Sequence, residues 1–103
     1  MDECPVGYEW DPGKARTNLA KHGVPFAEAA TVFDDPLEQT TRDAANSQGE
    51  DRFLTIGRAG SGRLLAVAYS YRGDRIRVIS ARPATQRERK RHEQDKRRFI
   101  PLP

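Results

Sequence analysis

Apolar residues in the first third of the chain recur at the spacing of an amphipathic helix. Phe26, Ala29, Ala30 and Phe33 follow the i, i+3, i+4, i+7 pattern, which places four side chains on one helix face. An Asp-Asp-Pro sequence follows, and proline disfavours helical conformation in the residue before it. We therefore predict a helix that begins at residue 26 and ends before Pro36.

A second helix is predicted just upstream, in the segment WDPGKARTNLAKHG (10–23). Asp11 is a favourable N-cap residue, and Pro12 falls at the first helical position, where its missing N–H does no harm. Gly23 suits the left-handed conformation that ends many helices. These signals predict a helix over residues 12–22.

Five segments have the composition or alternation of β-strands. They are YEW (8–10), LEQTT (37–41), RFLTIG (52–57), RLLAVAYSY (63–71) and RIRVISA (75–81). The connections between the last three are short enough to allow only antiparallel pairing. We therefore expect these strands to form an antiparallel meander.

The last predicted element is a helix without apolar residues. Thr85 and Glu88 have the spacing of a capping box, and no strongly apolar side chain follows before Arg98. Such a helix contributes little to a core, so we expect it to be loosely held, solvated or covered by a partner. The predicted fold class is α+β, with two amino-terminal helices on an antiparallel meander and a polar carboxy-terminal helix.

Composition fits one small domain. The chain has 103 residues, of which 36% are hydrophobic and 32% charged. We take residues 1–103 as one domain, with a core over 8–93 and a tail over 94–103. A single cysteine, an acidic amino terminus and the lack of a long apolar segment favour a cytoplasmic protein without a membrane segment.

Charge is distributed unevenly along the chain. Residues 1–51 contain four Lys or Arg and eleven Asp or Glu, whereas residues 52–103 contain fourteen and four. The second half therefore carries a net charge of +10, which favours binding to an anion such as a nucleic acid. The alternative is that the acidic and basic halves neutralise each other across the fold.

Arginines stand at most of the predicted strand borders, where a meander brings strand ends together. A guanidinium donates two hydrogen bonds to a phosphate and stays charged, so the set favours an anion site. Singly, each arginine could instead protect a sheet edge or turn. The set consists of Arg52, Arg63, Arg72, Arg75, Arg77 and Arg82.

Both histidines have a possible chemical role and a simpler structural one. Glu88 and His92 lie four residues apart, so they form either a proton-transfer pair or an ordinary surface pair on a helix. Lys21 and His22 fall in a last helical turn, where cations complement the helix dipole. No metal-ligand spacing and no nucleotide-binding glycine motif occurs, so we expect no metal and no cofactor.

Taken together in order, the sequence blocks resemble the BrnT family of toxins from type II toxin–antitoxin systems. The resemblance covers about residues 8–93. Its blocks are YEWDPGKARTNLAKHGVPFAEAATVFDDP, RFLTIG, GRLLAVAYSYRGDRIRVISAR and ATQRERKRHE. It implies a RelE-like fold, a metal-independent endoribonuclease that inhibits translation, and a BrnA-type ribbon-helix-helix antitoxin. Operator DNA is expected to be bound only through the complex with that antitoxin.

The resemblance also implies roles for particular residues in attack by the RNA 2′-hydroxyl. By similarity with RelE-like toxins, Arg63 and Arg82 lie at the phosphate, and His92, supported by Glu88, transfers protons. Secondary contacts to RNA or to an acidic antitoxin segment fall to Lys21, His22, Arg72 and Arg77. The family more often has tyrosine at the position of His92 and serine at that of Pro25.

Two alternatives remain open at this point. The chain could be a noncatalytic nucleic-acid-binding module, which its basic second half would support. It could also be a degenerate toxin that acts only as the partner of its antitoxin, with His92 as one sign of lost activity.

Overall fold

Three helices and five strands form the part of the chain that the computed structural model describes, residues 7–43 and 51–98. The helices are α1 (Pro12–His22), α2 (Phe26–Ala30) and α3 (Gln86–Arg98), and a 3₁₀ turn (Thr31–Asp34) continues α2. The strands are β1 (Tyr8–Glu9), β2 (Gln39–Arg42), β3 (Arg52–Arg58), β4 (Leu64–Arg72) and β5 (Arg75–Pro83). The predicted α+β class is confirmed; tail residues 99–103 lie outside the described part.

The sheet is mixed, with strand order β1-β5-β4-β3-β2. Strands β2 to β5 pair with their sequence neighbours in the antiparallel sense. Strand β1 pairs parallel with β5, so the prediction of a wholly antiparallel sheet was wrong. The reason is that α1, α2 and three strands separate β1 from β5, and antiparallel pairing is required only where the connection is short.

One face of the sheet carries α1 and α2 and contains the main core; we call it the helical face. Leu65 and Val67 of β4 point into this core because strand residues alternate between the two faces, and Val78 and Ala81 of β5 pack beside them. The buried residues of the core are Val24, Phe26, Ala29, Val32, Ala59, Leu65, Val67, Val78 and Ala81.

Helix α3 covers part of the opposite face. A smaller apolar cluster lies there, formed by Ile56, Leu64 and Ala66 with Leu54 and Ala84 packed against it. None of the helices within residues 7–43 and 51–98 combines the length and apolar character needed to cross a membrane.

The side chain of Asn18 joins α1 to the edge of β5. It is buried at 6% exposure, and it pairs with Ala81 as a neighbouring strand would. Its Nδ2 donates to the Ala81 carbonyl (2.9 Å), and its Oδ1 accepts from the Ala81 N–H (3.0 Å). Nδ2 also donates to the Val24 carbonyl beyond the helix (3.1 Å). One amide therefore satisfies three buried backbone groups.

Replacing Asn18 by Ala should lower the free energy of unfolding by about 2 kcal/mol or more, because it leaves these backbone groups buried without partners. Urea denaturation would measure the loss. Thr17→Ala is the control, since the Thr17 hydroxyl is exposed and bonds only to the carbonyl one turn back. We expect that control to change stability by less than about 0.5 kcal/mol. Equal effects at both positions would refute the role of Asn18.

Candidate functional site

Helix α1 ends as its sequence predicts, and this places Lys21 and His22. Asp11 accepts a hydrogen bond from the Lys14 N–H (2.9 Å), and Gly23 adopts a φ of 70°. Lys21 and His22 form the last turn, where they line an open groove of about 460 Å³ along the outer edge of β5. Lys14 lines the same groove.

Five of the six strand-border arginines share the face opposite α1 and α2, which we call the arginine face: Arg52, Arg72, Arg75, Arg77 and Arg82. The pairing register shows this arrangement, because residues directly opposite each other in a sheet point to the same side. Arg52 lies opposite Ser70, and Ser70 lies opposite Arg77, so two arginines flank one small residue in a row across three strands. Arg72 and Arg75 form the next row, at the hairpin.

A β-bulge is what places Arg77 and Arg82 on the same face. Residues five apart in a regular strand point to opposite faces. The register shifts between Ala68 and Tyr69, where β5 contains one residue more than β4. Beyond the shift, Arg82 lies opposite Ala66, on the same side of the sheet as Arg77.

Arg63 lies on the helical face, so the structure does not bring it together with Arg82. Its guanidinium forms two hydrogen bonds with Glu28 of α2 (2.6 and 2.9 Å) and donates to the Gly23 carbonyl (3.1 Å). The hydroxyl of Ser61 also donates to Glu28. The bonds from Arg63, and that from Ser61, hold the pKa of Glu28 below its ordinary value despite partial burial. These contacts fasten the β3–β4 connection to α2.

Arg82 and Glu88 are brought into direct contact. Two parallel hydrogen bonds join the guanidinium to the carboxylate, at 2.8 Å and 3.0 Å. The predicted capping box is confirmed: the Thr85 N–H donates to Glu88 Oε1 (2.8 Å), and the Glu88 N–H donates to the Thr85 hydroxyl (3.2 Å). The bonds from Arg82 are the main cause that lowers the pKa of Glu88. Glu88 is therefore an ionised, oriented carboxylate beside Arg82.

His92 anchors α3 to the body, although the helix is otherwise largely solvated, as expected: residues 89–91, 93 and 94 are exposed. The residue is only 1% exposed, and its Nε2 lies 2.9 Å from Asp35 Oδ2. Asp35 also accepts from the backbone N–H groups of Arg58 (2.8 Å) and Leu37 (2.9 Å). A helix without apolar residues is thus held by one enclosed polar contact, which the helical periodicity could not reveal. His92 therefore lies one helical turn from Glu88, but its side chain is enclosed and contacts Asp35, whereas Glu88 contacts Arg82.

A small crevice separates α3 from the sheet. It measures about 60 Å³ and opens beside the Arg82–Glu88 pair; it is lined by Gln39, Thr41, Leu54, Ile56, Glu88 and Arg91. Gln39 also donates to the Arg91 carbonyl (3.1 Å), which ties α3 to β2. Across residues 7–43 and 51–98, no three His, Cys, Asp or Glu side chains come together in a way that could hold a metal ion.

Sequence reasoning missed Asp35 and Glu28, the carboxylates that bind His92 and Arg63. Asp35 lies in the Asp-Asp-Pro sequence, which we interpreted only as a helix end. The sequence Asp-Pro-Leu carries a turn signal, because an aspartate often accepts from the backbone two residues ahead. Asp35 does so, through the Leu37 N–H. Its contact with His92 spans 57 residues, and no local pattern predicts it.

Comparison with known proteins gives a family match and a structural match. The family model described as "Ribonuclease toxin, BrnT, of type II toxin-antitoxin system" matches residues 10–88. Among solved structures, the 1.1 Å crystal structure of the Brucella abortus ribonuclease toxin BrnT is 29% identical in sequence, with a TM-score of 0.57. That match covers 75% of this chain and 94% of the Brucella chain. A comparison with curated proteins gives no match.

The contact of Asp35 predicts how stability depends on pH. Burial alone would raise the pKa of Asp35, but the bonds from Arg58, Leu37 and His92 lower it on balance. A lowered pKa in the folded state stabilises the protein above the ordinary aspartate value of about 4 and ceases to do so as pH falls through the folded value. Wild-type stability should therefore fall more steeply below pH 5 than that of Asp35→Asn.

Urea unfolding at several pH values between 7 and 2 would measure this difference. Asp34→Asn is the matched control, because Asp34 is exposed and adjacent in sequence. Parallel pH profiles for wild type and Asp35→Asn would show that the Asp35 contact contributes no pH-dependent stability.

Proposed function

Because the chain belongs to the BrnT family of ribonuclease toxins from type II toxin–antitoxin systems, we propose that it cleaves RNA on its arginine face and thereby inhibits translation. The observation that carries this proposal is the juxtaposition of Arg82 and Glu88 on the face that also presents Arg52, Arg72, Arg75 and Arg77. A guanidinium and a carboxylate side by side offer both a phosphate ligand and a proton acceptor.

Phosphate groups of RNA fit the charge distribution of this face. Arg75 and Arg77 form no ion pair within the described residues. Arg72 forms a long one, with 3.7 Å between its guanidinium and a Glu9 carboxylate oxygen. Between Arg82 and the Arg52–Arg77 row, β4 and β5 present the small residues Ala68 and Ser80. A backbone of several phosphates can therefore approach the sheet closely and meet arginines along its length.

Cleavage requires removal of the 2′-hydroxyl proton and stabilisation of charge on the phosphate. Glu88 Oε1 is held by both Arg82 and the Thr85 N–H, whereas Oε2 accepts only from Arg82 Nη2. If Nη2 turns to a phosphate oxygen, Oε2 becomes free to accept the 2′-hydroxyl proton. Arg82 then stabilises the charge that develops on the phosphate. No step in this scheme uses a metal ion.

His92 and Arg63 take supporting roles in this proposal. The imidazole of His92 is enclosed against Asp35, so it positions α3, and with it Glu88, while water protonates the departing 5′-oxygen. Arg63 supports the β3–β4 connection through Glu28, on the other side of the sheet. The RNA strand can continue towards Lys21 and His22, whose groove reaches Ser80 at the edge of β5.

The regulatory partner follows from the family. We assign the chain a BrnA-type ribbon-helix-helix antitoxin, which neutralises the toxin and carries it to operator DNA. A cytoplasmic location fits an RNA substrate. The enclosed His92 and the occupied Arg82 also fit the alternative of a noncatalytic partner of the antitoxin, and the RNA-cleavage assay separates the two functions.

Replacing Arg82 by Ala should lower the rate of RNA cleavage by about 100-fold, because it removes the cation at the reacting phosphate. Glu88→Gln should also lower the rate, since the amide oxygen can keep one of the two hydrogen bonds from Arg82 but the side chain no longer acts as a base. The measurement is cleavage of a labelled RNA by toxin freed of antitoxin, with and without EDTA. We expect the wild-type rate to persist in EDTA.

Arg63→Ala provides the matched comparison, because Arg63 also pairs with a glutamate but lies on the helical face. It should lower stability slightly and leave the cleavage rate within about twofold of wild type. A loss of cleavage in Arg63→Ala and not in Arg82→Ala would contradict the proposal, because it would place the active site on the helical face. An inactive wild type that still binds RNA would support the noncatalytic alternative.

A further inference from the structure

Aromatic side chains form a continuous set of ring contacts at one end of the helical face. Phe33 contacts Tyr8 (5.8 Å between centroids) and Tyr69 (4.9 Å), and Phe53 contacts Tyr69 and Tyr71 (both 5.6 Å). Tyr69 is buried beneath the others, whereas Tyr71 is 57% exposed. We call Tyr8, Phe33, Phe53, Tyr69 and Tyr71 the aromatic patch.

Two carboxylates border the aromatic patch. The Oε2 atom of Glu38 is enclosed and has no hydrogen-bond partner among the described residues. Burial, and secondarily the charge of Asp35, raise the pKa of Glu38. The pKa of Tyr8 is raised by burial and then by the charges of Asp34 and Glu38. Negative charge therefore acts directly on the rings of the patch.

No cation of the described chain neutralises this charge. Asp34 and Glu38 form no ion pair within residues 7–43 and 51–98. Arg42, which lies opposite Phe53 at the edge of the sheet, pairs instead with Asp51. The faces of aromatic rings attract cations, and a nearby carboxylate strengthens that attraction. The same charges repel a phosphate backbone, so RNA does not fit this surface.

We infer that the aromatic patch, with Asp34 and Glu38, docks a basic segment of the antitoxin, with a Lys or Arg side chain against the Tyr71 ring and the Glu38 carboxylate. The inference rests on the proposed function, which supplies the antitoxin as partner. Charge complementarity selects the chemistry of the segment, and the exposed Tyr71 ring supplies the apolar contact typical of an interface anchor. The surface lies across the sheet from the arginine face. The basic segment held here therefore does not itself cover the arginines.

Calorimetry with the purified antitoxin from the gene beside the toxin gene tests the inference. Tyr71→Ala and Glu38→Gln should each weaken binding by about tenfold, because each removes one half of the cation site. Tyr71→Phe should bind as wild type, since it keeps the ring. Leu19→Ala is the matched control, because Leu19 is the other large exposed apolar residue of the described chain and lies on α1.

Three results would overturn the inference. One is wild-type affinity for the antitoxin in both Tyr71→Ala and Glu38→Gln. A second is weaker RNA binding in Tyr71→Ala, which would make RNA the occupant. The third is a toxin dimer that Tyr71→Ala dissociates, which would make the occupant a second copy of the chain. A circular-dichroism spectrum and a urea-unfolding midpoint like those of the wild type show that Tyr71→Ala is folded, whether or not the protein cleaves RNA.

The docking test and the cleavage test fail independently. If the wild type cleaves no RNA but Glu38→Gln loses antitoxin affinity, the ribonuclease proposal fails and the docking surface stands. If cleavage depends on Arg82 but antitoxin affinity does not depend on Tyr71 or Glu38, the docking surface fails alone.

Discussion

The contact between His92 and Asp35 holds helix α3 against the sheet, although the helix has no apolar side chain. Helix α3 cannot be kept in place by a hydrophobic stripe, since its sequence from Gln86 to Arg98 contains none. The enclosed imidazole replaces that stripe, and Asp35 is itself fixed by two backbone N–H groups. This anchor sets the position of Glu88 one turn earlier, and Glu88 in turn orients Arg82. The geometry of the candidate site thus depends on the His92–Asp35 contact, which lies outside the site itself.

The two faces of the sheet serve different chemistry because of one irregularity in the pairing. Without the bulge between Ala68 and Tyr69, Arg77 and Arg82 would point to opposite sides. One arginine would then enter the core beneath α1 and α2, where a charge is costly. The bulge keeps the arginines on one face and leaves the helical face to apolar and aromatic residues. Basic and acidic surfaces of the same small domain are thereby separated by the thickness of the sheet.

Local signals in the sequence predicted those features that depend on neighbouring residues. Asp11 and Gly23 cap the two ends of α1 as expected, and Thr85 and Glu88 form the predicted capping box. Both could be predicted because a cap involves only residues within one helical turn. The features that were missed all depend on contacts between distant segments. Asn18 reaches Ala81 across 63 residues, and the parallel pairing joins β1, near the start of the described chain, to the distant β5. The strand-border arginines were singled out as an anion site; that role stays a prediction, and Arg63 lies apart from the other five. The side of the sheet on which each one lies depends on register, which single-sequence patterns do not specify.

The proposed chemistry requires that RNA occupies the arginine face. The most direct test is an NMR titration of the toxin with a short RNA that carries 2′-O-methyl groups and so cannot be cleaved by 2′-hydroxyl attack. We expect the largest chemical-shift changes at Arg77, Ser80, Arg82 and Glu88, with little change at Arg63 or Tyr71. Changes confined to the helical face, with none at Arg82, would contradict the proposed chemistry.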